Sequence, residues 1–171
     1  MTIRSFLSES LSTASIAVGA AMIPAAAYAA CPIELAVYGD AQGGSEIDFT
    51  PTGTSATVTN SFRMILDNSV VLNGIVMWNE GVSRPNGALM YKCPEGDVTG
   101  EELAACTPWH GVIYTSDDKG NIGLLPAEGV EAPKTLILPD LGPALRQSSA
   151  YGGSGFSKVP GDVFALKGCQ E

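Results

Sequence analysis

Residues 57–78 read TVTNSFRMILDNSVVLNGIVMW. In the first half, Phe62, Met64 and Leu66 fall on one face and Ser61, Arg63 and Ile65 on the other. That is the period of two expected of an extended chain with one buried face. In the second half the alternation is lost. Val70, Leu72, Val76 and Trp78 share one face, and Val71, Ile75 and Met77 the other, with Asn73 the exception. A strand that is apolar on both faces predicts a central strand covered from both sides. Gly74 interrupts it where a bulge is expected.

The flanks repeat this grammar. Residues 33–38 alternate, with Ile33, Leu35 and Val37 on one face and Glu34, Ala36 and Tyr38 on the other. Residues 46–50 alternate with Ile47 and Phe49 inward. Pro85-Asn86-Gly87 reads as a turn, and 88–92 as the strand returning from it. Strands over 109–115 and 121–125 flank Ser116-Asp117-Asp118-Lys119-Gly120, a hairpin loop with glycine where positive φ is needed. Residues 135–138 and 163–166 complete the set. Helix signals are few: 140–147 (DLGPALRQ) predicts one or two turns capped by Asp140 and kept short by Gly142 and Pro143. Residues 151–156 (YGGSGF) read as a flexible loop. The spacing predicts an all-β domain, a small sandwich or barrel of about eight to nine short strands with one or two short helices.

Residues 1–30 stand apart from this pattern. Arg4 and Glu9 precede a short uncharged apolar run, 14–23, then Pro24 and AAAYAA. The order is that of a cleaved signal peptide with a small-residue cleavage site after Ala29 or Ala30. Ten apolar residues fall short of the roughly 20 that span a bilayer, so no membrane insertion is expected. The remaining chain, 31–171, is expected to form a single exported, soluble domain in a periplasm or the medium. A lipoprotein acylated at Cys31 is the alternative. The net charge is −9. Such a chain repels phosphate backbones, which argues against nucleic acid as a partner.

Four cysteines, Cys31, Cys93, Cys106 and Cys169, predict two disulfides in an exported chain. Nearness in sequence favours Cys93–Cys106, which leaves Cys31 with Cys169. That second bridge closes with little strain if the first and last strands are antiparallel neighbours.

Between Cys93 and Cys106 lie Glu95, Asp97, Glu101 and Glu102. Glu95-Gly96-Asp97-Val98-Thr99-Gly100 imitates the first half of a calcium loop, but Cys106 stands where the bidentate glutamate is required. A helical turn explains more of the residues. Thr99 with Glu102 three positions on is a capping box, and Glu101 and Glu102 suit the positive end of a helix dipole.

Signatures of catalysis are sparse. His110 is the one histidine and hence the one candidate base for nucleophilic hydrolysis. No G-x-S-x-G elbow, phosphate-binding loop, C-x-x-C or clustered zinc-ligand spacing occurs. No metal or cofactor is therefore expected. Carboxylate pairs that meet only in the fold stay open, with Glu80 beside Trp78 and Asp67 as candidates. Trp78, Tyr91 and Trp109 are candidate binding residues. The reading that accounts for most of this is a non-enzymatic binding module for a protein or small molecule, such as an inhibitor, immunity-type or envelope-associated protein. The alternative is a small exported hydrolase using His110 or a carboxylate pair.

Overall fold

The computed structural model describes residues 31–53, 57–78, 81 and 83–170; the expected signal segment 1–30 and Glu80 lie outside them. Ten antiparallel strands form one sheet: β1 (Ala36–Asp40), β2 (Glu46–Thr50), β3 (Val58–Ile65), β4 (Val71–Met77), β5 (Asn86–Met90), β6 (Trp109–Gly111), β7 (Tyr114–Ser116), β8 (Ile122–Leu124), β9 (Thr135–Ile137) and β10 (Val163–Cys169). Two short helices, α1 (Gly100–Ala105) and α2 (Leu141–Arg146), interrupt them.

The strand order is β6-β5-β4-β3-β2-β1-β10-β9-β7-β8. In a flat sheet β6 and β7 would lie eight spacings apart in that order, close to 40 Å at ~4.8 Å per strand. Yet only Val112 and Ile113 join them, a reach of about 11 Å. The sheet must therefore curl until its two ends meet along residues 109–116. The predicted single strand over 109–115 is split at that corner, its first part pairing with β5 and its second with β8 and β9.

The interior is filled by the residues that the alternation selects. Ile47 and Phe49 of β2, Phe62 and Met64 of β3, and Leu72 and Val76 of β4 are buried together with Leu89, Leu136 and Phe164. Each such side chain contributes about 1.5–3 kcal/mol of burial. Across β1, β2 and β3, Tyr38 packs edge-on against Phe49, and Phe49 packs tilted against Phe62. The Tyr38 hydroxyl donates to the Pro133 carbonyl at 2.9 Å, and burial pushes its phenol well above the ordinary range.

Several expectations need correction. Residues Ile33–Leu35 form a 3-10 turn, so Ile33 enters the core by that route, and along β1 it is Ala36 and Tyr38, not Val37, that face inward. Asn86 and Gly87 begin β5 rather than making the turn. Gly74 makes no bulge and pairs in register with Phe62, whose ring lies where a Cβ on Gly74 would sit, 2.3 Å away. Close approach, not a shift of phase, requires glycine there. β4 is not covered on both sides: Val71 and Asn73 of its outer face are exposed. Residues 151–156 are not simply a flexible loop. Phe156 is wholly buried and packs edge-on against Tyr151.

Both disulfides pair as expected, Cys31–Cys169 with Cα atoms 5.6 Å apart and Cys93–Cys106 with 5.1 Å. β1 and β10 are antiparallel neighbours with Ala36 opposite Cys169, which brings Cys31 within reach. The bridge occupies the sulfur that an acyl anchor on Cys31 would need, so the two exclude each other. No helix among the described residues is long and apolar enough to cross a membrane.

Candidate functional site

A concavity that holds Tyr91 lies between the two helices, and each helix reaches its place differently. α1 begins at Thr99, whose Oγ1 accepts from the Glu102 amide at 3.3 Å, while the Glu102 carboxylate accepts from the Thr99 amide at 2.8 Å. The Thr99 amide first, and then the Thr99 hydroxyl, which also donates to that carboxylate at 2.9 Å, hold the Glu102 carboxyl below its ordinary value. The capping box predicted from sequence is thus formed. No residue of α1 is buried. Its C-terminus is fixed by the Cys93–Cys106 bridge and by the Tyr91 amide, which donates to the Cys106 carbonyl at 2.8 Å.

α2 has Asp140 at its N-cap, but in a left-handed conformation and without a side-chain cap. The cap comes from Asp162 instead. Its carboxylate accepts from the amides of Asp140 and Leu141, both at 3.1 Å, and of Gly142 at 3.5 Å. Leu141, Gly142 and Leu145 are buried, and the Trp109 indole donates to the Pro139 carbonyl at 2.9 Å just before the helix.

Between the helices runs an open groove of about 480 Å³, with Tyr91, Ala104, Ala105, Ala144 and Gln147 among its walls. Beyond Thr107 and Pro108 it continues into a second recess of about 480 Å³ beside β6, lined by His110 and Tyr114. Thr107, Pro108, Asp140 and Ala144 wall both recesses, so the two adjoin. The structure therefore places Tyr91 and His110 along a single surface.

His110 is exposed on β6, and among the described residues its imidazole makes no hydrogen bond. Trp109 points the opposite way, into the core. Tyr114 is held by Arg84, whose guanidinium donates to the phenol at 2.7 Å and stacks over the ring. Trp78 is half-exposed at the end of β4, away from the groove. Asp67 is away from it too and is occupied: its carboxylate accepts from the Ser157 hydroxyl at 2.6 Å and from the Ser157 and Lys158 amides. Those bonds, the Ser157 hydroxyl first, lower its pKa and clamp residues 151–158 to the turn after β3.

The fold also makes a carboxylate pair that sequence reasoning missed, Glu46 and Asp48 on the outer face of β2. Burial first, and Glu46 second, raise the Asp48 carboxyl, while Lys167 and Arg63 reach the pair at 2.9 and 3.4 Å. Their spacing of two on one strand is the signal that puts them on one face. Among the described residues no three His, Cys, Asp or Glu side chains are gathered as a metal ion would need.

Comparison with family models, with curated proteins and with solved structures gives no match, so the groove is read on its own geometry. The α2 side of it was not visible beforehand. Ala144 and Gln147 carry no chemical signature, and nothing near 140 points to Asp162 as its cap.

Proposed function

We propose that this chain is an exported, disulfide-stapled binding module that holds its ligand, a protein or a small molecule, in the groove between α1 and α2. The observation that carries the proposal is a concavity in the ~300–1,000 Å³ range of ligand sites, walled by two independently fixed helices and by the partly buried Tyr91. Small side chains at Ala104, Ala105 and Ala144 leave room for a ligand group. Fixed walls favour binding because little ordering entropy remains to be lost. Two disulfides support an oxidising destination, and the order of residues 1–30 supports export. The carboxylate pair Glu46–Asp48 sits on a convex strand face, and His110 has neither a nucleophile nor an orienting acid bonded to it among the described residues. Both observations favour binding over hydrolysis.

The test is capture from envelope extract by the oxidised protein, side by side with Ala105→Arg, which fills the groove from an exposed position, and His110→Ala. A binder is retained by the native protein and by His110→Ala and is lost with Ala105→Arg. Equal retention by Ala105→Arg, or a hydrolytic activity that vanishes in His110→Ala, would sink the proposal. Intact mass of the exported protein, starting at Ala30 or Cys31 without added lipid, checks the destination.

A further inference from the structure

A carboxylate that no group of the chain satisfies stands at the end of β1. Asp40 is 7% exposed, and among the described residues its side chain accepts no hydrogen bond and joins no ion pair. Ser45, buried beside it in the turn to β2, bonds through its carbonyl and not through its hydroxyl. Among the described residues the one unpartnered buried oxygen that is sealed from solvent is Asp48 Oδ1, so the Asp40 oxygens reach an open surface. Burying a charge without a compensating bond is unfavourable. A carboxylate in that state needs its partner from outside the chain.

The surface that Asp40 reaches is a recess of about 310 Å³. Gln42 and Ser45 of the β1–β2 turn form one wall, and Lys158 and Pro160 of the segment before β10 form the other. Both walls are fixed. The Gly43 amide donates to the Asp40 carbonyl and the Asp40 amide to the Ser45 carbonyl, each at 3.0 Å, while the Lys158 amide donates to the Asp67 carboxylate at 3.1 Å. The Lys158 ammonium joins no ion pair; the pairs among the described residues are Arg63–Asp48 and Lys167–Glu46. Asp40 and Lys158 therefore wall one recess with opposite charges and do not meet. Past Gln42, Val159 and Pro160 the recess adjoins another of about 710 Å³, whose charged walls are Arg146 and Asp162. Asp162 is committed to the amides of α2, whereas Arg146 is exposed and joins no ion pair. Asp40 Oδ1 and Gln42 Nε2 face this second recess too, 3.7 and 4.0 Å from where a Cβ on Gly161 would stand.

We propose that these recesses bind a free α-amino acid, with its ammonium on Asp40, its carboxylate at Lys158 and its side chain beside Arg146. An ionised carboxylate can only accept, so the partner of Asp40 must donate, and a cationic donor also compensates the buried charge. A ligand that was only a cation would meet repulsion from Lys158, and one that was only an anion would meet it from Asp40. A zwitterion satisfies both through charge-assisted bonds, the short and strong kind. Arg146, the uncommitted charge of the second recess, favours an acidic side chain. Neither recess is lined by an aromatic ring, so a nucleobase finds no platform for stacking. Because both walls are held by the chain's own bonds, little ordering is left for the ligand to impose. None of the residues around Asp40 lines the groove between α1 and α2, so this site does not depend on the function proposed for that groove.

Amide NMR titration of the exported, oxidised protein with L-glutamate tests it, up to ~10 mM, where even a site of Kd ~1 mM is nearly saturated. The expected result is saturable shifts at Gly43, Gly44 and Gly161, with L-alanine, which lacks the second carboxylate, binding more weakly. N-acetyl-L-glutamate, whose ammonium is blocked, binds at least ~10-fold more weakly than L-glutamate. Asp40→Asn, which keeps the shape and removes the charge, weakens L-glutamate binding by a similar factor, and Lys158→Ala weakens it as well. The Lys158 side chain is exposed, so its variant reports even where Asp40→Asn fails to fold. Absence of shifts at the three glycines in the native protein, equal binding of N-acetyl-L-glutamate or of L-alanine, or undiminished binding in both variants overturns the proposal.

Discussion

α1 and α2 are both six residues long and face each other across one groove, yet they are held by opposite means. α1 carries its own cap in Thr99 and Glu102, buries nothing, and is tied down by a disulfide at its end. α2 lacks a side-chain cap of its own, borrows the Asp162 carboxylate from beyond a loop, and buries Leu141 and Leu145 completely. One helix is a local structure stapled to the barrel, and the other is part of the core. Disturbing α1 should therefore stay local, whereas disturbing α2 should be felt by the whole molecule.

The largest expected effect is that of Leu145→Ala. It empties a fully buried site and should lower global stability by about 2–5 kcal/mol, read as a fall in the midpoint of urea unfolding. Next comes removal of the short bridge by Cys93→Ser with Cys106→Ser, at about 3 kcal/mol on the loop-entropy model. Hydrogen exchange should then show α1 losing protection first, with the strands still closed. Asp162→Ala should cost about 1–2 kcal/mol and speed exchange at the amides of Leu141 and Gly142, whose acceptor is gone. Asp162→Asn keeps an acceptor oxygen and should retain most of that stability.

The smallest effect is Thr99→Ala, about 1 kcal/mol or less of helix stability, visible in the exchange of α1 and not in the unfolding midpoint. Acidity probes the same bonds. The Glu102 carboxyl lies below its ordinary value when folded, so its contribution is present above the ordinary glutamate pKa and is lost as pH falls through the lowered value. In Thr99→Ala the hydroxyl bond goes and the backbone amide bond stays, so NMR titration should show the Glu102 pKa rising only part of the way back. If Thr99→Ala shifted global unfolding as much as Asp162→Ala, the distinction between the two helices would fail.

The same contrast explains how much could be read beforehand. Interactions between near neighbours in sequence were legible: the capping box, the inward faces of 46–50 and 57–66, and the hairpin at 116–120, where the Asp117 carboxylate accepts from the Lys119 and Asn121 amides. The Cys31–Cys169 bridge was legible because the pairing left few alternatives. What stayed hidden depends on where the curled sheet brings distant residues. Asp162 capping α2, Asp67 gripping Ser157, and the corner that splits 109–115 leave no local trace. The apolar outer face of β4 misled for a physical reason, since single apolar side chains on an exposed face are ordinary and do not require a second layer. The groove was half legible: Tyr91 and His110 drew notice as aromatic and titratable residues, while its alanines drew none.

The Cys31–Cys169 bridge has a mechanical consequence. β1 and β10 are paired from Asp40 opposite Phe164 to Ala36 opposite Cys169, with a bulge between Val37 and Tyr38, and the bridge spans them at that same end. Tension applied at Cys31 and Cys169 is thus carried through one sulfur–sulfur bond, and the hydrogen bonds of the barrel never enter the line of force. Oxidised, the domain should behave under tension as an inextensible bead. Reduced, it should begin to open by unzipping β1 from β10, one rung at a time.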